Sequence, residues 1–203
     1  MPRIVLASQS TSRRRLLEGA GLKPTIIVSH VDEETDFFNA MAPAYMVIAL
    51  AIAKAHTVRE QIDYPALIIG CDSTFDVDGV SFGKPGTPEI AMDRAKQISG
   101  RTGLLHTGHC IIDTAQGIEI ADRVTTKVTF TDMSDLEITD YVASGEPLHV
   151  AGGFTLDGLS APFISRIEGD PSGIIGLSLP LLRRVVNSLG LSWNSIAKSV
   201  VNA

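Results

Sequence analysis

Short apolar runs alternate along the chain with longer stretches whose apolar residues recur at helical spacing, the pattern of an α/β domain. Ile4-Val5-Leu6-Ala7 reads as a first buried strand, and Arg13 to Ala20, closed by Gly21, as the helix after it. Thr25 to Val28 is a second strand and leads into the acidic run Asp32-Glu33-Glu34. Pro43 to Arg59 carries Met46, Leu50, Ala53 and Val58 near helical spacing, with Pro43 suited to a first turn. Ala66 to Gly70 has almost no polar face and reads as a strand covered on both sides. Asp78-Gly79, inside Asp76 to Val80, marks a hairpin turn.

Pro88 to Ile98 is the next predicted helix, stopped by Ser99-Gly100. Two strands follow, His109 to Asp113 and Val124 to Thr131, joined through Thr114-Ala115-Gln116-Gly117; the β-branched, hydroxyl-rich alternation from Thr125 to Phe130 suits a sheet with one wet face. Asp135 to Ser144 is a helix with Ser134 as its cap and Glu137 closing a capping box. From Gly145 to Gly176 the chain is glycine-rich and has no long periodic element, and loops of that length tend to be functional. Pro180 to Leu189 is the last predicted helix. Residues 1–190 therefore read as one domain, and 191–203 as a tail that is either a short helix or a frayed end.

Composition narrows the class. The 203 residues are 44% apolar and 20% charged, as expected for a soluble globular domain. The net charge of -6 argues against a general nucleic-acid partner, so any phosphate affinity must come from a local cluster. Two cysteines, no leader and no bilayer-length apolar run imply a cytoplasmic protein without a membrane partner or a disulfide.

The opening segment holds the densest chemistry. Ser8-Gln9-Ser10-Thr11-Ser12 runs into Arg13-Arg14-Arg15. Hydroxyls suit an N-cap, but cations in a first turn face the positive end of the helix dipole and are disfavoured by a few tenths to ~1 kcal/mol each. Backbone N–H groups, hydroxyls and guanidinium forks converging there suit a phosphate or carboxylate; the alternative is a solvated basic turn. Asp72, directly after the buried strand, stands where open α/β sheets place ligand crevices, either as metal ligand or general base, or as an Asx-turn with Ser73 and Thr74. Cys71 faces the opposite way and reads as core. Lys84 projects from a rigid Gly83-Lys84-Pro85-Gly86 loop as a phosphate clamp, though the loop is no P-loop.

Lys54, among small apolar residues, either snorkels to solvent or points into a site. Glu33 in its acidic run is a metal carboxylate or merely solvated. Arg101 is a further anion-seeking group, and Arg166 to Ser172 is an ion-paired turn or a site wall. His106 and His109 have a spacing that suits a metal on a helix, but their setting reads as strand. Together these residues are an inventory for a polyphosphate with a divalent metal.

Ten short motifs then fall in order between Ile4 and about Leu189. They are Leu6-Ala7-Ser8-x-Ser10-x-x-Arg13, Asp32-Glu33-Glu34-Thr35, Ala53-Lys54-Ala55, Gly70-Cys71-Asp72-Ser73, Gly83-Lys84-Pro85, Ser99-Gly100-Arg101-Thr102, Thr107-Gly108, Gly145-Glu146-Pro147, Ala151-Gly152-Gly153-Phe154, and Ile167 to Ser172 through Gly176-Leu177. In these the chain resembles the Maf family of nucleotide pyrophosphatases. The resemblance implies a single α/β domain on a central mixed β-sheet flanked by helices, like the inosine-triphosphate pyrophosphatases. It implies hydrolysis of a non-standard or modified nucleoside triphosphate to the monophosphate and pyrophosphate, with a divalent cation (Mg2+, Mn2+ or Co2+) and a homodimeric assembly. In family terms Asp72 is the proton acceptor and, with Glu33, a metal ligand, while Ser8, Arg13, Lys54 and Lys84 hold the triphosphate.

Departures from the family pattern bear on the base. Thr11 stands where proline is usual, Ser12 where arginine is common, and Gly103 where the arginine-threonine motif ends in histidine. Ser12, Ser73 and Asp157 occupy the positions that sort the family by base preference and match neither of its branches. Ionised Asp157 only accepts hydrogen bonds, which favours a base edge with N–H donors such as guanine or cytosine. Two other functions compete: a nucleotide-binding regulator of cell division with little turnover, which needs no general base, and a nucleotidyltransferase, which needs a glycine-rich loop where Ser8-Gln9-Ser10 stands.

Overall fold

A computed structural model describes residues 2–197. Its centre is a seven-stranded mixed sheet in the order β2-β1-β3-β5-β6-β7, with β4 added on β3. β1 (Arg3–Leu6) is followed by α1 (Thr11–Gly19), β2 (Thr25–Ile26), α2 (Asp36–Asn39) and α3 (Pro43–Arg59). A long strand, β3 (Ala66–Val77), turns into β4 (Val80–Phe82), and α4 (Pro88–Ile98) leads to the β5 (Thr102–Asp113) and β6 (Ile118–Phe130) hairpin. α5 (Asp135–Ala143), three 3-10 turns, β7 (Ile164–Glu168), α6 (Pro171–Ile175), α7 (Leu179–Ser188) and α8 (Trp193–Ala197) complete the chain.

The two faces of the sheet carry separate cores. On one, Leu6, Ile69, Cys71 and Ile111 meet Leu17 of α1 and Leu181, Leu182 and Val185 of α7. On the other, Val5, Ile68 and Cys110 meet Ala51, Ala55 and Val58 of α3. Cys71 and Cys110 are thus free, buried and on opposite faces, and burial pushes the Cys71 thiol up to about 11. The far end is closed by Phe75, Phe130 and Phe154, whose rings meet edge-on with centroids 5.0–5.9 Å apart.

Several expected boundaries move. α1 begins at Thr11, capped by Ser10, whose hydroxyl accepts from the Arg13 N–H. The Thr25–Val28 strand shrinks to two residues. β3 runs on past Gly70 through Asp72, so Asp72 lies inside a strand rather than after it. β5 and β6 begin at Thr102 and Ile118, earlier than apolar content suggested, because Gly103, Gly108 and the polar residues among them are held by a continuous ladder. The Thr114–Gly117 connection is as read: Asp113 Oδ1 accepts from the N–H groups of Ala115 and Gln116. The Asp78-Gly79 hairpin also forms, with both residues at positive φ. β7 and α6 lie in the stretch that showed no long element. In the tail, Ile196 of α8 is buried in the α7 core and Trp193 Nε1 donates to the Ala20 carbonyl, while 198–203 lie outside the described residues.

Two glycines let α3 lie against the sheet. A Cβ on Gly70 would stand 2.2 Å from the Ala51 carbonyl oxygen, and one on Gly108 would stand 2.2 Å from that of Val47. No side chain fits between helix and strand here. Gly108→Ala is therefore expected to cost about 1–3 kcal/mol or more in a denaturant titration, by lifting α3 off β5. Gly79→Ala, beyond van der Waals reach of other atoms, is expected to show only the strain of its positive φ.

Candidate functional site

The site begins with a gap in strand pairing. β3 pairs β5 continuously from Leu67 to Asp76 on one edge. On its other edge β1 covers only Ala66 to Ile69, and β4 only Phe75 to Val77. Residues 70–74 form a notch between the two partners. Strand alternation turns the backbone N–H and C=O of Cys71 and Ser73 toward it, since Ile69 already faces β1, accepting from the Ala7 N–H. A cleft of about 1220 Å³ opens over this notch.

One lip is the turn after β1. Ser8 Oγ accepts from the Ser10 N–H and from Arg13 Nη1, both at 3.2 Å. Arg13 is buried despite its charge; its Nε donates to the Gly176 carbonyl at 2.7 Å and its Nη2 to Ser73 Oγ at 3.1 Å. The cation in the first turn is thus held by a carbonyl and two hydroxyls, none of them an anion. Arg14 faces away and pairs with Glu18 at 2.7 Å, one helical turn on.

The floor is an ion cluster centred on the buried Lys54. Lys54 points inward: its Nζ lies 2.7 Å from Asp72 Oδ1 and 2.7 Å from Glu33 Oε1. Asp72 is buried and Glu33 exposed at the cleft mouth. Burial raises the Asp72 carboxyl above its ordinary value, against the lowering pull of Lys54 and Arg13. Burial also raises Glu33, but there the charge and hydrogen bond of Lys54, helped by Lys84 and Arg13, prevail and the net shift is downward. The two carboxylates share one cation yet are driven in opposite directions. Asp72 Oδ1 is taken by Lys54, while Oδ2 has no protein partner among the described residues.

The second lip is the loop after β4. Lys84 is exposed and lines the cleft. Its backbone is fixed by Arg94 of α4 and by the Gly152 N–H, both donating to the Gly83 carbonyl. Arg94 also stands 5.4 Å from the Phe82 ring centroid and lines the cleft. Sequence reading missed it, since an arginine in an amphipathic helix carries no local signal.

Beyond the first lip, Ser12 and Asp157 line both the cleft and a side cavity of about 310 Å³ that also includes Arg15 and Ile175. The Asp157 loop hangs on Glu146, which likewise went unread as a functional group. Its carboxylate accepts from Tyr141 Oη, Thr155 Oγ1 and the Leu159 N–H. Burial raises its carboxyl, but these hydrogen bonds outweigh that and hold it below its ordinary value.

Other candidates lie elsewhere. His106 and His109 are three apart on a strand, hence on opposite faces, so they share no metal. His106 hydrogen-bonds Thr125 through Nδ1, and His109 Nε2 accepts from the Ser178 N–H, with burial first and Arg13 second lowering its pKa to about 4. Arg101 pairs with Asp78 on the hairpin. Of the Arg166–Ser172 segment, Arg166 and Glu168 form surface ion pairs, while Asp170 caps α6. Ser8, Arg13, Glu33, Lys54, Asp72, Ser73, Lys84, Ser12 and Asp157 all line the one cleft.

A model of the family described as Maf-like protein matches residues 3–189. The chain belongs to the Maf family. A relative in Streptomyces coelicolor, named nucleoside triphosphate pyrophosphatase, is 54% identical over 189 residues, covering 93% of this chain and 91% of the relative. Proteins of the same name in Thermosynechococcus vestitus and Leifsonia xyli are 50% and 44% identical, covering 92% and 96% of this chain and 93% and 96% of theirs. The mixed α/β architecture is the one expected for a Maf protein. Among the described residues no helix is long and apolar enough to cross a membrane.

The ion cluster makes a stability prediction. Lys54→Met leaves Asp72 buried without its nearest cation, at an expected cost of about 3–5 kcal/mol at neutral pH. Its carboxyl then rises further. A group with a raised folded-state pKa contributes stability that is present below the unfolded pKa and lost as pH climbs through the folded one. The deficit of Lys54→Met relative to wild type should therefore shrink as pH falls toward the carboxylate range, measured by denaturant unfolding at a series of pH values.

Proposed function

We propose that this chain is a nucleoside triphosphate pyrophosphatase that cleaves the bond between the α-phosphorus and the α–β bridging oxygen, releasing the monophosphate and pyrophosphate. The observation that carries the reading is the Lys54–Asp72–Glu33 cluster at the open edge of β3, flanked by Arg13 and Lys84. Asp72 acts as general base: its free Oδ2 takes the proton of the attacking water, and burial, by raising its pKa, makes it a stronger proton acceptor than an ordinary carboxylate. Arg13 and Lys84, on opposite lips, neutralise charge on the phosphates, with Ser8 lining the same turn. Lys54 holds the base in place and keeps an N–H for a phosphate oxygen. A regulator without turnover would have no use for a carboxylate so expensively desolvated.

The donor set fits a hard divalent cation such as Mg2+, Mn2+ or Co2+. Glu33 and Asp72 each give one carboxylate oxygen to Lys54 and keep the other for a cation, and Mg2+ is commonly held by one or two carboxylates plus substrate phosphates and water. Glu33 and Asp72 would hold it from the protein side, with water and substrate oxygens as its further ligands. Bound there, the metal supplies neutralisation of phosphate charge and a more acidic water.

The base goes toward Ser12 and Asp157 at the side cavity, and Asp157 selects bases that present N–H donors. We further infer a cytoplasmic enzyme that clears non-standard or modified nucleotides, working as a homodimer without a nucleic-acid polymer as partner.

The test is a panel of canonical and modified triphosphates with pyrophosphate release as readout. Asp72→Asn is expected to lower turnover by about 10²–10⁴-fold while the protein still folds, and wild-type activity should fall on the acid side as pH drops through the raised Asp72 pKa. Binding without pyrophosphate release under Mg2+, Mn2+ or Co2+ would sink the enzyme reading. Asp157→Gln should shift the ranking toward uridine or thymidine substrates; an unchanged ranking refutes the base assignment.

A further inference from the structure

Arg13 is the end of a hydrogen-bond chain whose polarity is fixed by valence. The Gly173 carbonyl can only accept, so Thr107, fully buried, donates its hydroxyl hydrogen to it at 2.8 Å. With that hydrogen committed, Thr107 Oγ1 is the acceptor in its 2.9 Å contact with Ser73, and Ser73 Oγ is the donor. Ser73 therefore meets Arg13 Nη2, at 3.1 Å, with a lone pair. On its other side the guanidinium is anchored by Nε to the Gly176 carbonyl and by Nη1 to Ser8. Gly176, at φ +118, leaves no room for a side chain without strain, because a Cβ would already press on Arg13 Nε at 3.1 Å.

We propose that Ser73 and Thr107 are positioning residues for the triphosphate site, acting through Arg13, and that Ser73 does not read the base. Three of the guanidinium's donors are taken, which leaves one N–H on each terminal nitrogen for phosphate oxygens. The Ser73 hydrogen points away from the cleft, into Thr107, and so is not available to a base carbonyl. Ser73 and Asp72 are successive residues of β3 and project to opposite faces. The chain thus holds the arginine on one side of the notch while Lys54 holds the base on the other. Cutting it at Thr107, which lies behind Ser73 and is fully buried, removes the acceptor that fixes the Ser73 rotor among the described residues.

The inference rests on the reading of Arg13 as a phosphate ligand, so the test separates the two. Inorganic tripolyphosphate is titrated calorimetrically into wild type, Arg13→Lys, Thr107→Val, Thr107→Ser and Ser73→Ala, and KM and kcat are measured on the same triphosphate panel. Thr107→Val and Ser73→Ala are each expected to weaken tripolyphosphate binding and raise KM by about tenfold for every base, with kcat changing little. Thr107→Ser should restore both, and the double variant should be no worse than either single one, since both cut the same chain. A Thr107→Val protein with reduced stability but wild-type tripolyphosphate affinity and KM would overturn the inference. So would Ser73→Ala changing the order of bases. If Arg13→Lys itself leaves tripolyphosphate affinity unchanged, the phosphate reading of Arg13 fails instead.

Discussion

The gap in pairing along one edge of β3 is the constraint on which the site depends. A sheet edge with unpaired N–H and C=O groups is ordinarily a liability and is covered. Here β1 and β4 cover its two ends and leave residues 70–74 open. The turn leaving β1 and the loop leaving β4 stand on either side of the same short stretch of strand. Ser8 and Arg13 come from one, Lys84 from the other, and β3 supplies Asp72 and Ser73 between them. Parallel α/β sheets place crevices beyond their strand ends; this fold obtains one in mid-strand by ending a neighbour early.

Bringing a lysine to that notch needs a helix closer to the sheet than side chains normally allow. Gly70 and Gly108 remove the obstacle, and the Ala51 and Val47 carbonyls occupy the space. Lys54, next to the contact, then reaches Asp72 over 2.7 Å. The resulting pair is not primarily a stabilising device, because desolvation of Asp72 exceeds what its cations return and its pKa ends up raised. A carboxylate kept ionised at such cost makes sense as a proton acceptor. Glu33, half in water, has the opposite balance and stays readily ionised, which suits it to holding a metal.

Much of this was legible in the sequence, and the parts that were not share a cause. The α4 limits and the α5 capping box were read correctly because caps and apolar periodicity are local signals. The Asp78-Gly79 turn was read for the same reason. The motifs gave the cleft residues in chain order, but their arrangement about the notch depends on where β1 stops pairing, and that is a tertiary fact. The early start of β5 was hidden because glycines and polar residues in a central strand are justified only by what packs on them, here α3 and the aromatic triad, and β6 starts early because its largely exposed first residues pair with β5. Arg94 escaped for a related reason, since it acts on the Gly83 carbonyl from another element, while Thr107 and Glu146 stand in two of the ten motifs, whose spacing does not reveal what their side chains hold.

Strand register links these observations. Residues alternate faces along a strand, so a slip of one position would carry Asp72 to the other face and put Cys71 or Ser73 in its place beside Lys54. The long ladder from Leu67 to Asp76 against β5 holds the register against it, together with the opposite burial of Cys71 and Cys110. The strand's stability lies in its apolar ends, Leu67 to Ile69 and Phe75 to Val77, which fit only one way. The middle is thereby free to hold an arrangement of charges that no local preference would select.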